Sequence, residues 1–174
     1  MKQLFPTAAA LLGMALATPA SASLALGNQA PDFSAQSVQG ETPMSVHLAE
    51  LLKKGPVVLF FLPSVFIGSS AAECHQFADN IDRFRAAGAT VVGMSRDPLD
   101  TLARFSTREC AGKFPMASAD FDIVTGFDVN DSANFATRTT YVIAPSGKVV
   151  FVDDDDDYAG HVRKTLAFVQ GMKR

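Results

Sequence analysis

The chain has 174 residues, 48% hydrophobic and 19% charged, which excludes a disordered or fibrous protein and suffices for one domain with a real core. Its 15 basic and 18 acidic residues give a net charge of −3 with no basic stripe, which argues against nucleic acid as a partner. Two cysteines, Cys74 and Cys110, are too few for a disulfide scaffold.

The chain opens with "MKQLFPTAAALLGMALATPASA", one basic residue, a Leu/Ala-rich apolar run and a small-residue end. This is the anatomy of a secretory signal peptide over residues 1–22, cleaved after Ala22 and leaving a domain over 23–174. The run is too short for a membrane span, and no cysteine follows it to carry a lipid anchor. The mature protein is therefore expected in the periplasm or secreted, without membrane contact.

"VVLFFL" (57–62) is a continuous β-branched and aromatic run, as in a strand buried on both faces. A helix follows, with apolar residues at 74, 77, 78, 81 and 84, ending at Gly88. "ATVVGMS" (89–95) is a second buried strand. Asp97-Pro98 opens the next helix, the aspartate as cap and the proline at the first helical position. "TTYVIA" (139–144) turns through Pro145-Ser146-Gly147 into "KVVFV" (148–152), and a last helix runs from about Tyr158 to Gln170. Strand, helix, strand, helix, hairpin and closing helix is the order of a thioredoxin-like α/β fold, a mixed sheet flanked by helices.

Four segments in this order resemble the peroxiredoxins, the alkyl hydroperoxide reductase / thiol-specific antioxidant family. They are "GNQAPDF" (27–33), "KKGPVVLFFLP" (53–63), "VVGMSRD" (91–97) and "RTTYVIAPSGKVVFV" (138–152). The resemblance is closest to the monomeric bacterioferritin-comigratory, or peroxiredoxin Q, type. It implies thiol-dependent reduction of hydrogen peroxide or alkyl hydroperoxides, a thioredoxin-like or small-thiol reductant, a monomer, and no cofactor or metal.

The family's active site reads P-x-x-x-T-x-x-C with a distant arginine. Aligned without gaps, Pro63 keeps the proline and Arg138 the arginine. Ile67 stands at the threonine and Ser70 at the peroxidatic cysteine, while Glu73, Phe77 and Asp79 also match. Serine oxygen has no route up the oxidation ladder that a thiolate climbs, and no His/Asp pair lies nearby in sequence to make Ser70 a hydrolase nucleophile.

Cys74 lies one turn further along the helix, roughly 6 Å from position 70 and beyond most of the helix-end field. Its stripe partners point it toward the core, so a buried or disulfide-bonded cysteine stands beside a redox-active one. Cys110 falls where some relatives place a resolving cysteine. A Cys74–Cys110 bond is open as staple or as redox couple. Arg138 reads equally as an anion-polarising group or as an ion pair beneath the first helix, and Pro63 as a turn former. His47, His75 and His161 lack metal spacing and read as surface histidines. Asp153–Asp157 reads as a solvated loop, the alternative being a weakly held cation. Two functions follow: a peroxidase rewired through Cys74, Cys110 and Arg138, or a non-catalytic relative that binds a ligand or partner.

Overall fold

The computed structural model describes residues 23–131, 135–155 and 157–172. The expected signal peptide lies outside them. The elements are β1 (Ser34–Gln39), β2 (Thr42–His47), α1 (Leu48–Leu52), β3 (Val57–Phe61), α2 (Gly68–Ala86), β4 (Thr90–Ser95) and α3 (Leu99–Glu109). After these come β5 (Met116–Ser118), α4 (Phe121–Gly126), β6 (Thr139–Ile143), β7 (Val149–Asp153) and α5 (Tyr158–Gly171). One seven-stranded sheet has the order β2-β1-β5-β4-β3-β6-β7. β3 pairs parallel with β4 and antiparallel with β6, as the strand–helix–strand–hairpin order predicts.

Every residue of β3 is fully buried because helices cover both faces of the sheet. The side chains alternate. Val58, Phe60 and Leu62 join the core beneath α2, α3 and α5, while Val57, Leu59 and Phe61 join the opposite core with Phe127 and Tyr141. Gly93 on β4 faces the first core, where an added Cβ would lie 2.3 Å from Met116 Sδ and 2.7 Å from Phe60 Cζ. Only glycine lets those side chains close over the strand. α2 buries Cys74, Phe77, Ala78, Ile81 and Phe84, the stripe the sequence gives. It ends where Gly88 takes φ +80° and Ala89 N–H reaches back to Phe84 O at 3.0 Å.

Three expectations are corrected. Pro98 occupies the N-cap of α3, which begins at Leu99 and has no side-chain cap bond. The Asp97 carboxylate accepts instead from Val65 N–H at 2.9 Å, Ser95 Oγ at 2.6 Å and Ser64 Oγ at 3.3 Å, tying the segment after β3 to the end of β4. The Asp153–Asp157 run is not all solvated loop. Asp153 closes β7 and is buried, while Asp154, Asp155 and Asp157 are exposed and Asp156 lies outside the described residues. His161 is fully buried, whereas His47 and His75 are exposed as expected. The reason is the stripe of α5, which turns Gly160, His161, Val162, Thr165, Leu166 and Val169 inward. Among the described residues, no helix is long and apolar enough to cross a membrane.

Candidate active site at the start of α2

β3 delivers the chain to Pro63 just past the C-terminal end of this interior strand, where Asp97 holds the turn. Pro63 is half-buried and lines a shallow cleft with Arg96, Asp97, Pro98 and Phe135. Ile67, at the N-cap of α2, has an extended backbone and an apolar side chain that offers the helix no acceptor. It is 44% exposed, and neighbouring Phe66 is 80% exposed.

Ser70 sits in the first turn of α2, completely buried. Its hydroxyl donates to the Ser64 carbonyl at 2.7 Å. That carbonyl demands a donor, so the group in this pocket is held as a proton donor, the reverse of what a thiolate nucleophile needs.

Cys74 and Cys110 are joined by a disulfide with Cα atoms 5.2 Å apart. It links the body of α2 to the residue that caps α3, and both helices keep their hydrogen-bonded form around it. Both sulfurs are buried, and the core around them includes Val65, Phe77 and Phe105. The helices' seam is bridged at the surface by His75 Nε2 and Glu109 Oε2, 3.1 Å apart. A cleft of about 220 Å³ lined by Val65, Phe66, Phe105, Arg108 and Glu109 opens beside this seam.

Arg138 precedes β6 and is nearly buried. Its Nη1 donates to Glu73 Oε2, and its Nη2 donates to Ser69 Oγ at 2.9 Å. Arg138 therefore forms the expected ion pair beneath α2 and lies at the first turn of that helix. Burial pushes the Glu73 carboxyl up to about 7, with Arg138 pulling it down and Asp153 pushing it further up. Behind Glu73 the polar chain continues through His161 to Asp153, Asp155 and Lys164. Lys164 pairs with both aspartates, which lowers the Asp155 carboxyl and raises the Lys164 ammonium. The ligand atoms of Asp153, Asp155 and His161 lie within 4.8 Å of one another, and the Lys164 ammonium already occupies both carboxylates of this cluster.

Sequence reasoning placed Pro63, Ile67, Ser70 and Arg138 around one helix start, where the structure brings them. It placed Cys74 one turn away and left its bond to Cys110 open. Ser69 and His161 were missed as members of the cluster. The signal for His161 was its place one residue before Val162 and four before Thr165, on the inward stripe of α5.

The AhpC/TSA family model matches residues 26–152 of this sequence. The chain belongs to the AhpC/TSA family, the peroxiredoxins, and within it to the Bcp, or peroxiredoxin Q, type. Peroxiredoxin Bcp of Escherichia coli is 27% identical over 145 residues, covering 79% of this chain and 90% of the relative. The crystal structure of peroxidoxin BcpB from Mycobacterium tuberculosis superimposes with a TM-score of 0.77 at 28% identity, covering 86% of this chain and 98% of that one. The bacterioferritin comigratory protein of Xanthomonas campestris shares the fold, with a TM-score of 0.72 at 23% identity over 82% of this chain and 92% of its own. Membership brings thiol-dependent peroxide reduction, with a hydroperoxide as substrate and a thioredoxin-type reductant. In this chain the sulfur of Cys74 stands one helical turn beyond Ser70.

Proposed function

We propose that this peroxiredoxin is an exported monomer that reduces hydroperoxides through Cys74 and Cys110, with residue 70 taking no part in sulfur chemistry. The reading rests on one observation: the chain's only two thiol-bearing residues are bonded to each other beside the family's active site. The disulfide-bonded chain is then the oxidised form in the cycle. In the reduced state, the Cys74 thiolate attacks one peroxide oxygen and the O–O bond breaks. The alkoxide leaves and takes up a proton as alcohol, and Cys74 becomes a sulfenic acid. The Cys110 thiol attacks that sulfur, water leaves and the disulfide forms. An external dithiol returns both thiols and is itself oxidised. The cleft beside the α2–α3 seam is the approach to the sulfurs, and Arg138 stabilises charge at the helix start. Export follows from the signal-like residues 1–22 and accords with an oxidising compartment.

The test is peroxide consumption by the mature chain with a dithiol reductant. Cys74→Ser abolishes turnover while the fold, followed by circular dichroism, persists. Unchanged turnover in that variant removes Cys74 from the mechanism.

A second reading takes up the complete burial of both sulfurs and the pairing of Arg138 with Glu73. In it the bond is a staple and the chain a non-catalytic ligand- or partner-binding relative. It requires negligible turnover and no sulfenic acid at either cysteine after the reduced protein meets peroxide.

A further inference from the structure

The polar chain behind Arg138 has an inconsistency that only a proton resolves. Glu73 is fully buried, and its two carboxylate oxygens have different surroundings. Oε2 receives Arg138, whereas Oε1 has no hydrogen-bond donor and faces His161 Nδ1 at 3.6 Å. The His161 ring is equally buried. Its Nε2 lies 2.8 Å from the Asp155 carbonyl oxygen, which can only accept, so Nε2 carries hydrogen. A neutral ring of that tautomer has only a lone pair at Nδ1. This lone pair receives the Thr140 hydroxyl at 3.0 Å and is turned toward the bare Oε1. Lone pair against carboxylate in a dry site is unfavourable. A proton on either Nδ1 or Oε1 converts the clash into an attraction.

Charge balance points the same way. The groups packed on one another are Glu73 from α2, Arg138 before β6, Asp153 from β7, Asp155 from the following loop, and His161 and Lys164 from α5. Three carboxylates oppose two permanent cations, and one further proton brings the cluster to neutrality. We propose that His161 is a positioning residue for Arg138, acting through Glu73, and that Glu73 and His161 hold one proton between them. With the proton in place Glu73 is anchored at both oxygens, so Arg138 is held against Ser69 at the first turn of α2. When it leaves, Oε1 and Nδ1 repel each other and Arg138 loses its fixed support. The consequence for peroxide reduction rests on the reading above; the shared proton does not.

The experiment is an NMR titration of the full mature protein, following the Glu73 carboxyl carbon, the His161 ring nitrogens and the Arg138 guanidinium nitrogens from pH 4 to 9. In the wild type, Glu73 and His161 move together in the same step, and the Arg138 signals broaden as that step completes. His161→Gln removes the joint step, shifts the Glu73 midpoint and leaves Arg138 averaged at every pH. Should that variant fail to fold, Thr140→Val, which removes only the hydroxyl on Nδ1, shifts the joint midpoint instead. Separate Glu73 and His161 midpoints in the wild type overturn the proposal. So does a Glu73 midpoint unmoved in either folded variant. Peroxide turnover is measured on the same samples. A joint step without turnover in the wild type sinks the cysteine mechanism and leaves the shared proton standing. With turnover, His161→Gln shifts its pH profile by the amount it shifts Glu73.

Discussion

Positions 70 and 74 occupy successive turns of one face of α2, and they show what a helix terminus does and does not provide. At 70 the chain has the helix end but no sulfur, and the buried hydroxyl donates to the Ser64 carbonyl. At 74 it has sulfur but lies a turn deeper, among Val65, Phe77 and Phe105 and bonded to Cys110. The helix-end field falls off within the first turn. A thiol at 74 therefore lies beyond most of that field and has a partner within bonding range. Thiol chemistry asks for two things, an activating environment and an oxidisable atom, and in α2 the helix end and the sulfur sit on different residues.

The largest effect is expected at the bonded pair. Replacing both cysteines by alanine removes all thiol-dependent peroxide consumption, measured by peroxide loss, and costs about 4 kcal/mol for opening a loop with sequence separation 36 in the chain-entropy model. Equal denaturant midpoints for the two proteins would contradict the second part.

Arg138→Met comes next. It strands Glu73 in the core and destabilises by about 3 kcal/mol at pH 8, the order expected when one partner of a buried ion pair is lost. Below pH 5 the stranded carboxyl is protonated and the penalty shrinks, so urea midpoints at the two pH values should diverge between variant and parent.

A comparable effect concerns Glu73 itself. In the unfolded chain its carboxyl ionises at 4.5, and in the fold at about 7. Between those values the folded state holds the extra proton. The stability linked to this group is thus complete below pH 4.5, declines as pH rises to about 7 and then levels off. The span corresponds to roughly 3 kcal/mol at 1.36 kcal/mol per pH unit. Glu73→Gln should flatten this part of the stability profile measured by urea unfolding.

The smallest effect is at Asp97. Asp97→Ala leaves Val65 N–H and two serine hydroxyls without their acceptor and costs about 2 kcal/mol. It also loosens the segment carrying Phe66, visible as faster amide exchange at Val65.

Residues whose neighbours are near in sequence were the legible ones. The "VVLFFL" run and the 74/77/78/81/84 stripe specify β3 and α2 because covered sheets and helix faces leave periodic signatures. β1 and β2 gave no such signature, since β2 is a largely exposed edge strand carrying Pro43. The three-residue β5 is set by its neighbours in the sheet. At the site, the one-turn offset of Cys74 was readable from helix geometry, whereas the bond to Cys110 depends on how α3 lies across α2. Asp97 looked like a cap because Asp-Pro is a local signal; its actual partners are Val65 and Ser64, more than 30 residues away in sequence. The burial of His161 required knowing which face of α5 meets the sheet.

The bond between Cys74 and Cys110 makes a covalent ring around most of α2, the whole of β4 and α3. β4 lies in the middle of the sheet, between β5 and β3. A protease that nicks any peptide between residues 75 and 109 would leave two fragments still tethered, able to reassemble without finding each other in solution. The ring turns a lethal cut into a repairable one, and reduction of the bond by a dithiol would remove that protection.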